Sequence, residues 1–381
     1  MKRIYFFGFS RVACLDGKTG RPIWIEAIPG SSEGELPLSG RPILAGPNVI
    51  YKGAGGAVGG YYALNRATGK LDWSSGITST HSFAVAAHGN RIFLATYGGL
   101  GVTAMNATTG RVVWEHHLVQ VGFFSYDTLL YHGGLLYTDS RFVFNAKTGR
   151  LYGLLGTSLH SGFILKHDHF FTLTHVSSSN VRSNTLLAIF LQTRALYPGL
   201  DAYPIWSAPP PAGTHDGYID ELAASRRAVV AYYSYSHSYR KSHHLNPYLG
   251  IVQVRNAGNG HLMWQRKTTS FASFGTSHRM VFMVSHPGLK DRKRKGPEQT
   301  RVSAYSWKSG KRLWSSLVIR GGSGGFRIYA AGNEVLVPIS SEYHNSQQYH
   351  GSLYALQRRT GRLLWSFTFP AHRKSRTGKA R

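Results

Sequence analysis

The sequence predicts an all-β fold, an eight-bladed β-propeller of four-stranded antiparallel blades, and three observations predict it. The first is a recurring phrase: Thr-Gly, three residues, then Trp. It stands at Thr19-Gly20 with Trp24, Thr68-Gly69 with Trp73, Thr109-Gly110 with Trp114 and Thr360-Gly361 with Trp365. Asn259-Gly260 with Trp264 and Ser309-Gly310 with Trp314 keep the spacing, and Thr148-Gly149 keeps the turn with Gly153 in place of the Trp. The second observation is the period. The glycines at 20, 69, 110, 149, 260, 310 and 361 are separated by 49, 41, 39, 111, 50 and 51 residues. The gap of 111 is two periods, and residues 200–206 supply the hidden copy, a degenerate turn ending in Trp206. Eight units result, and self-similarity at roughly 40–50 residues marks a repeat architecture. The third observation is local. Runs of about five to seven residues rich in Val, Ile, Tyr and Phe, punctuated by Gly, Asn and Asp, read as strands and hairpins. No window carries a long apolar pattern of helical period.

The elements follow in order. In the first unit, residues 4–9 align with the second strand of the other units, so this blade is expected to lack its inner strand. The second unit reads as strands at 41–45, 48–53, 60–65 and 70–74, and the third as 82–87, 91–96, 102–106 and 111–115. Four strands per period describe a propeller blade. Asp16, Asn65, Asn106, Asn145 and Asn256 each stand four residues before their glycine, where a short polar side chain can bond the turn backbone. The glycine supplies a positive φ that a Cβ would oppose. The Trp lies on the strand just after the turn, where a flat ring can fill the wedge between blades and its N–H needs a partner. Turn formation and packing account for Gly20, Gly69, Gly110, Gly149, Gly260, Gly310 and Gly361, and for Trp24, Trp73, Trp114, Trp206, Trp264, Trp314 and Trp365.

Leu15-Asp16-Gly17-Lys18-Thr19-Gly20 with Trp24, Leu64-Asn65-Arg66-Ala67-Thr68-Gly69 with Trp73, and Leu356-Gln357-Arg358-Arg359-Thr360-Gly361 with Trp365 resemble the PQQ-like (pyrroloquinoline-quinone-like) repeat family of β-propellers. Its signature is Ala/Leu-x-Asp/Asn-x-x-Thr-Gly-x-x-x-Trp. The resemblance covers residues 1–370 and implies one propeller domain there, followed by a disordered basic tail at 371–381. The family includes quinone-dependent dehydrogenases, the lipoprotein that assists assembly of outer-membrane barrels, and sensor or adaptor propellers, so the likeness implies fold rather than function. This chain resembles the barrel-assembly lipoprotein and other non-catalytic members more than the dehydrogenases. Those enzymes are longer, hold calcium through carboxylate and amide oxygens beside a catalytic Asp, and carry a pair of adjacent cysteines. Cys14 is the only cysteine here, and no matching carboxylate set is found. No cofactor, no metal and no catalytic residue are therefore expected.

The chain has 44 Lys and Arg against 17 Asp and Glu, a net charge of +27. Such a balance favours an acidic partner, a protein or another anionic macromolecule, with nucleic acid a lesser expectation. Adaptation of a whole proteome would give the same balance. No transmembrane run is present, and a monomer is expected. The family resemblance implies an extracytoplasmic site, yet no signal peptide is readable, because Arg11 cuts short the apolar run at 4–9.

Function concentrates in loops carried by a rigid scaffold, so the departures from the repeat matter most. Units five to eight carry insertions at 174–184, 234–248, 285–301 and 340–351, between the second and third strands of their blades. Such connections emerge on the same face as the blade-to-blade links and opposite the Thr-Gly turns. The candidate partner-binding residues on that face are Arg240, Lys241, Lys290, Arg292, Lys293, Arg294 and Lys295, with Tyr235, Tyr239 and Tyr343 as aromatic anchors. Basic residues interleaved with rings can neutralise phosphates while the rings stack, and the same loops can equally be solvated.

Other signals are weaker. Residues 321–325, Gly-Gly-Ser-Gly-Gly, match a nucleophile elbow in letters only, since that motif needs a strand-to-helix turn. His167, His169, His243 and His244 lack a third or fourth converging ligand. Asp216, Asp220 and Glu221 form the densest acidic cluster in a basic chain and read as ion-paired. The expected function is a non-catalytic scaffold that binds a macromolecule through the elaborated face. The alternatives are a PQQ- and calcium-dependent dehydrogenase and a ligand-sensing propeller of a signalling system.

Overall fold

The computed structural model describes residues 2–8, 11–28, 42–52, 60–75, 85–96, 101–116, 129–138, 142–154, 160–166, 169–178, 181–191, 202–209, 211, 219–225, 227–234, 250–268, 271–277, 279–285, 299–316, 319–320, 328–341 and 350–370. They form eight antiparallel sheets and no helix. Blade 1 holds β1 (Arg3–Phe7), β2 (Arg11–Asp16) and β3 (Pro22–Ala27). Blade 2 holds β4 (Ile43–Ala45), β5 (Asn48–Lys52), β6 (Tyr61–Asn65) and β7 (Leu71–Ser74). Blade 3 holds β8 (Val85–His88), β9 (Arg91–Thr96), β10 (Gly101–Asn106) and β11 (Val112–His116). Blade 4 holds β12 (Leu129–His132), β13 (Leu135–Thr138), β14 (Phe142–Asn145) and β15 (Leu151–Leu154). Blade 5 holds β16 (His160–Lys166), β17 (His169–Ser178), β18 (Val181–Leu191) and β19 (Ala202–Ala208). Blade 6 holds β20 (Ile219–Ala224), β21 (Ala228–Ser234), β22 (Gly250–Asn256) and β23 (Leu262–Thr268). Blade 7 holds β24 (Phe271–Ser277), β25 (Met280–Ser285), β26 (Gln299–Ser306) and β27 (Arg312–Ser315), with the short β28 (Ile319–Arg320) beside it. Blade 8 holds β29 (Tyr329–Ala331), β30 (Glu334–Ser341), β31 (His350–Gln357) and β32 (Leu363–Thr368). Each blade is a simple meander, and the first strands of neighbouring blades pack on one another from blade 2 to blade 4 and from blade 5 to blade 8.

The repeated phrase builds one turn. In blade 1, Asp16 Oδ1 accepts the N–H groups of Lys18 at 3.0 Å and Thr19 at 2.8 Å and the Thr19 hydroxyl at 2.9 Å. Gly20 N–H then donates to Asp16 O at 2.8 Å. Asn65, Asn106 and Asn145 each accept two N–H groups in the same way, whereas Gln357, one carbon longer, reaches only the Thr360 hydroxyl. The glycine closing the turn lies at a φ of 67–78° in all seven copies, where an L-residue is strained. A register shift follows each turn, as at Ala63/Leu64 and Ala104/Met105, and sets the Trp opposite a small residue: Trp73 faces Ala63, Trp114 Ala104, Trp314 Ala304 and Trp365 Ala355.

Each indole lies on the turn glycine of the next blade. A Cβ built on Gly69 would stand 2.7 Å from Trp24, on Gly110 2.6 Å from Trp73, on Gly149 2.5 Å from Trp114, on Gly260 2.5 Å from Trp206, on Gly310 2.9 Å from Trp264 and on Gly361 2.4 Å from Trp314. Gly20 meets Trp365 at 2.4 Å, so blade 8 packs on blade 1 and the ring closes. The indole N–H groups donate to the carbonyl three residues before that glycine: Trp24 to Arg66, Trp73 to Ala107, Trp114 to Ala146, Trp206 to Ala257, Trp264 to Trp307 and Trp314 to Arg358, at 2.9–3.3 Å. A polar ring edge inside a packed seam needs such an acceptor. Among the described residues the Trp365 N–H finds none. The closing seam relies instead on the rings of Phe6, Phe367 and Phe369 and on an ion pair from Lys2 Nζ to Glu334 Oε2 at 2.6 Å.

Two expectations meet the structure directly. Blade 1 has three strands among the described residues, and β1 is its second, so the inner one is the strand it lacks. The expected insertion at 174–184 is corrected. Strands β17 and β18 run through it, pairing Thr174 with Thr185 and continuing to Ser178 opposite Val181. The segment is a prolonged hairpin rather than an inserted loop.

Candidate functional site

The candidate face is built by the hairpins of blades 5 to 8. The last paired residues before the inserted connections are Ser178 with Val181, Ser234 with Gly250, Ser285 with Arg301 and Ser341 with His350. In an antiparallel meander these four pairs lie at the end of the blade opposite the Thr-Gly turns. One further pairing ties a blade link to the same end. Strand β28, in the connection from blade 7 to blade 8, bonds the start of β26, with Gln299 opposite Arg320 and Thr300 opposite Ile319. The link and the 286–298 connection therefore emerge side by side.

Arg240, Lys241, Lys290, Arg292, Lys293, Arg294, Lys295, Tyr235, Tyr239 and Tyr343 all lie outside the described residues, and so do residues 321–325, His167, His243, His244 and Asp216. The described strands fix where their connections start and end. Among the described residues at this end, Arg301 and Lys267 are exposed. Arg266 is committed to the scaffold: it donates to Gly310 O at 3.4 Å and stands 4.8 Å over the Tyr305 ring. Asp220 sits at an irregularity in β20, where Ile219 faces Tyr233 and Glu221 faces Tyr232. No three His, Cys, Asp or Glu side chains among the described residues converge on a common point.

Inside blade 6, burial lowers the Arg255 pKa from its usual value and raises that of Tyr233. The guanidinium donates to Gln253 Oε1 at 3.1 Å and Gly260 O at 3.0 Å, so its charge is satisfied within the blade. Sequence reasoning missed one recurring position, the first residue of the second strand. Arg3 donates to Arg66 O at 2.8 Å, Asn48 to Ala107 O at 2.9 Å and Arg91 to Ala146 O at 3.2 Å. These are the carbonyls that also take the indole N–H groups of Trp24, Trp73 and Trp114. In blade 8 this position is Glu334, which cannot donate and pairs with Lys2. Alignment to the turn glycines is the signal that would have found them.

Residues 8–189 and 298–376 match the family described as outer membrane protein assembly factor BamB. The chain belongs to this PQQ-like repeat family. A curated relative, tetrathionate hydrolase of Acidithiobacillus ferrooxidans, is 29% identical over 128 residues, which cover 27% of this chain and 24% of that protein. The match thus spans about a quarter of the relative's length. Among solved structures, BamB from Moraxella catarrhalis superposes with a TM-score of 0.54 at 12% identity, over 94% of this chain and 88% of that one. The dihydro-heme d1 dehydrogenase NirN, in complex with DHE, gives a TM-score of 0.61 at 12% identity over 95% and 71%. The computationally designed Ika8 protein gives 0.57 at 15% identity over 87% and 88%. Identities this low carry the fold alone, and the propeller is shared by enzymes and by an assembly factor. No helix among the described residues is long and apolar enough to cross a membrane.

Proposed function

We propose that this PQQ-like propeller is a non-catalytic scaffold that binds an acidic macromolecular partner, a protein before a nucleic acid, through the face of blades 5 to 8. The observation that carries this reading is the pairing of β28 with β26. It brings a blade link beside the connection that contains Lys290, Arg292, Lys293, Arg294 and Lys295. Five cations within six residues, with Asp291 as the one acid among them, repel one another and are best neutralised by a facing anion. Arg240 and Lys241 belong to the connection of the neighbouring blade 6, with Tyr235 and Tyr239 a few residues away in sequence as ring anchors, and Tyr343 belongs to that of blade 8. Tyr is a residue type enriched in binding hot spots.

The test is a pull-down from source extract at low and moderate salt. It compares the intact chain with one in which Lys290, Arg292, Lys293, Arg294 and Lys295 are replaced by Ser or Gln. At about 0.2–1 kcal/mol for each exposed ion pair, loss of five contacts weakens capture by about fivefold or more, and salt weakens the intact chain in the same direction. Equal capture by both forms overturns the reading. A quinoprotein oxidoreductase is the second reading; the stretch of likeness to tetrathionate hydrolase favours an enzyme without specifying its chemistry. Saturable binding of the quinone with calcium would support it.

A further inference from the structure

The Thr-Gly turns carry a second pattern, in side chains that the turn itself does not use. Six of the seven turn glycines are followed by a cation: Arg21, Lys70, Arg111, Arg150, Lys311 and Arg362. All six are exposed, and among the described residues none of them forms an ion pair or a side-chain hydrogen bond. In blade 6 the same position is His261. From four residues before each turn glycine to three after it, the acids are Asp16 and Asp72 alone. Asp16 is committed to its own turn, and Asp72 Oδ2 accepts from Asn65 Nδ2 at 3.3 Å.

One or two residues beyond each cation, where the outer strand begins, an apolar side chain stands exposed: Ile23, Leu71, Val112, Leu151, Leu313 and Leu363, at 40–51%. Val113, Tyr152 and Leu364 double the position in three blades. Nine of the eleven large apolar side chains exposed among the described residues therefore lie here. The face that carries them is even. The first hairpin of a blade lies on the same side as its Thr-Gly turn, and the two are bonded, from Arg66 N–H to Pro47 O at 2.9 Å in blade 2 to Arg358 N–H to Asn333 O at 2.7 Å in blade 8. Gly89, Gly133 and Gly332 in these hairpins meet nothing within 4 Å of a Cβ position, so bare backbone forms their tips.

We propose that the Thr-Gly turn face docks on the surface of an anionic lipid bilayer. The cations meet headgroup phosphates, and the neighbouring apolar side chains enter the boundary between headgroups and acyl chains. Cations alone would fit any acidic macromolecule, and two observations favour a bilayer. Each cation stands beside an exposed apolar side chain, which a purely electrostatic contact would leave in water. The pair also recurs from blade to blade, and a laterally uniform plane meets every copy at once, where a folded protein meets one sector. This face is opposite the connections of blades 5 to 8, so failure of either proposal leaves the other standing.

The test is co-sedimentation of the full chain with vesicles of phosphatidylcholine and phosphatidylglycerol at three to one, against vesicles of phosphatidylcholine alone. Binding is expected to the first and not to the second. A cation near an anionic surface contributes about fivefold in partition, so Arg21→Gln, Lys70→Gln and Arg111→Gln together weaken it about a hundredfold. Arg21→Lys with Arg111→Lys keeps the charge and retains binding. Val112→Ser with Val113→Ser leaves the charge unchanged and weakens binding about tenfold. All these side chains are exposed, so the variants keep the parent's melting temperature. The proposal is overturned if the anionic vesicles do not bind the chain, or if the triple variant binds them like the parent. It is equally overturned if replacing Lys290, Arg292, Lys293, Arg294 and Lys295 removes the binding, which would assign it to the opposite face. A triple variant that weakens while the Val pair does not would make the contact one of charge alone, with an acidic protein rather than a bilayer on this face.

Discussion

Glycine to alanine at a turn separates the two jobs that the repeat glycine performs. Gly110 has a φ of 69° and a Cβ there would stand 2.6 Å and 2.7 Å from two atoms of the Trp73 ring. Gly89, in the same blade, has a φ of 57° and nothing within 4 Å of its Cβ position. Both substitutions put an L-residue in the left-handed region, at about 1–2 kcal/mol. Only Gly110→Ala adds overpacking against a ring wedged between blades, about 1–3 kcal/mol more. The expected losses are about 1–2 kcal/mol for Gly89→Ala and about 2–5 kcal/mol for Gly110→Ala, read as urea unfolding curves under identical conditions. Removing the ring isolates the contact. Trp73→Ala alone costs about 3–5 kcal/mol, and on that background the excess for Gly110→Ala disappears, leaving only the backbone term. Equal losses for the two single variants would refute the packing argument, as would an excess that persists without Trp73.

Two further expectations concern the closing seam and the first turn. Replacing Lys2 with Met removes its 2.6 Å pair with Glu334 and lowers stability by about 0.2–1 kcal/mol at low salt. The difference fades near 1 M salt, where screening acts over about 3 Å, and a loss independent of salt would assign Lys2 to packing. Bonds from the Thr19 backbone N–H and hydroxyl, followed by the Lys18 N–H, hold the Asp16 carboxyl below its ordinary pKa. Its contribution is therefore present above the unfolded value of about 3.9 and is lost as pH falls through the lower folded value. Asp16→Asn keeps acceptor chemistry that Asn65 uses in blade 2, so thermal melts of the variant should fall less steeply than those of the parent below about pH 4. Parallel acid limbs for the two proteins would deny Asp16 that role.

What was legible in the sequence is what repeats. The turn glycines and the Trp positions recur in register because each must satisfy the same φ and the same wedge, and a constraint met several times stands out even in one chain. That blade 1 shows three strands among the described residues was legible for the same reason, as an offset between residues 4–9 and the repeat. The hairpin at 174–184 was not. Thr174, His175, Ser177, Ser178, Arg182, Ser183 and Asn184 lie on paired strands, but the residues carry no apolar alternation, and periodicity reports a strand only where one face is buried. The donors Arg3, Asn48 and Arg91 escaped notice because three different side chains meet one requirement, an N–H reaching a carbonyl of the next blade. The basic connections were legible only as composition, since an insertion by definition breaks the period that places everything else.

The breaks in the repeat fall at opposite points of the ring. Blade 4 carries Gly153 opposite Val143 where the other blades carry Trp, so its seam with blade 5 has no indole wedge from that strand. Four blades on, the seam between blades 8 and 1 has the wedge but, among the described residues, not its hydrogen bond, and Lys2 with Glu334 stands where Arg3, Asn48 and Arg91 donate to a carbonyl of the next blade. These two seams separate blades 1 to 4, compact in sequence, from blades 5 to 8, which hold the long hairpin and the basic connections. The inner strands pack on their neighbours in turn from blade 2 to blade 4 and from blade 5 to blade 8. A propeller whose blades were bound alike would have no place to treat differently. Here the seams that depart from the common pattern coincide with the boundary between plain and elaborated blades. The ring and its candidate face are thus organised by the same few substitutions, made where the repeat is interrupted rather than where it is kept.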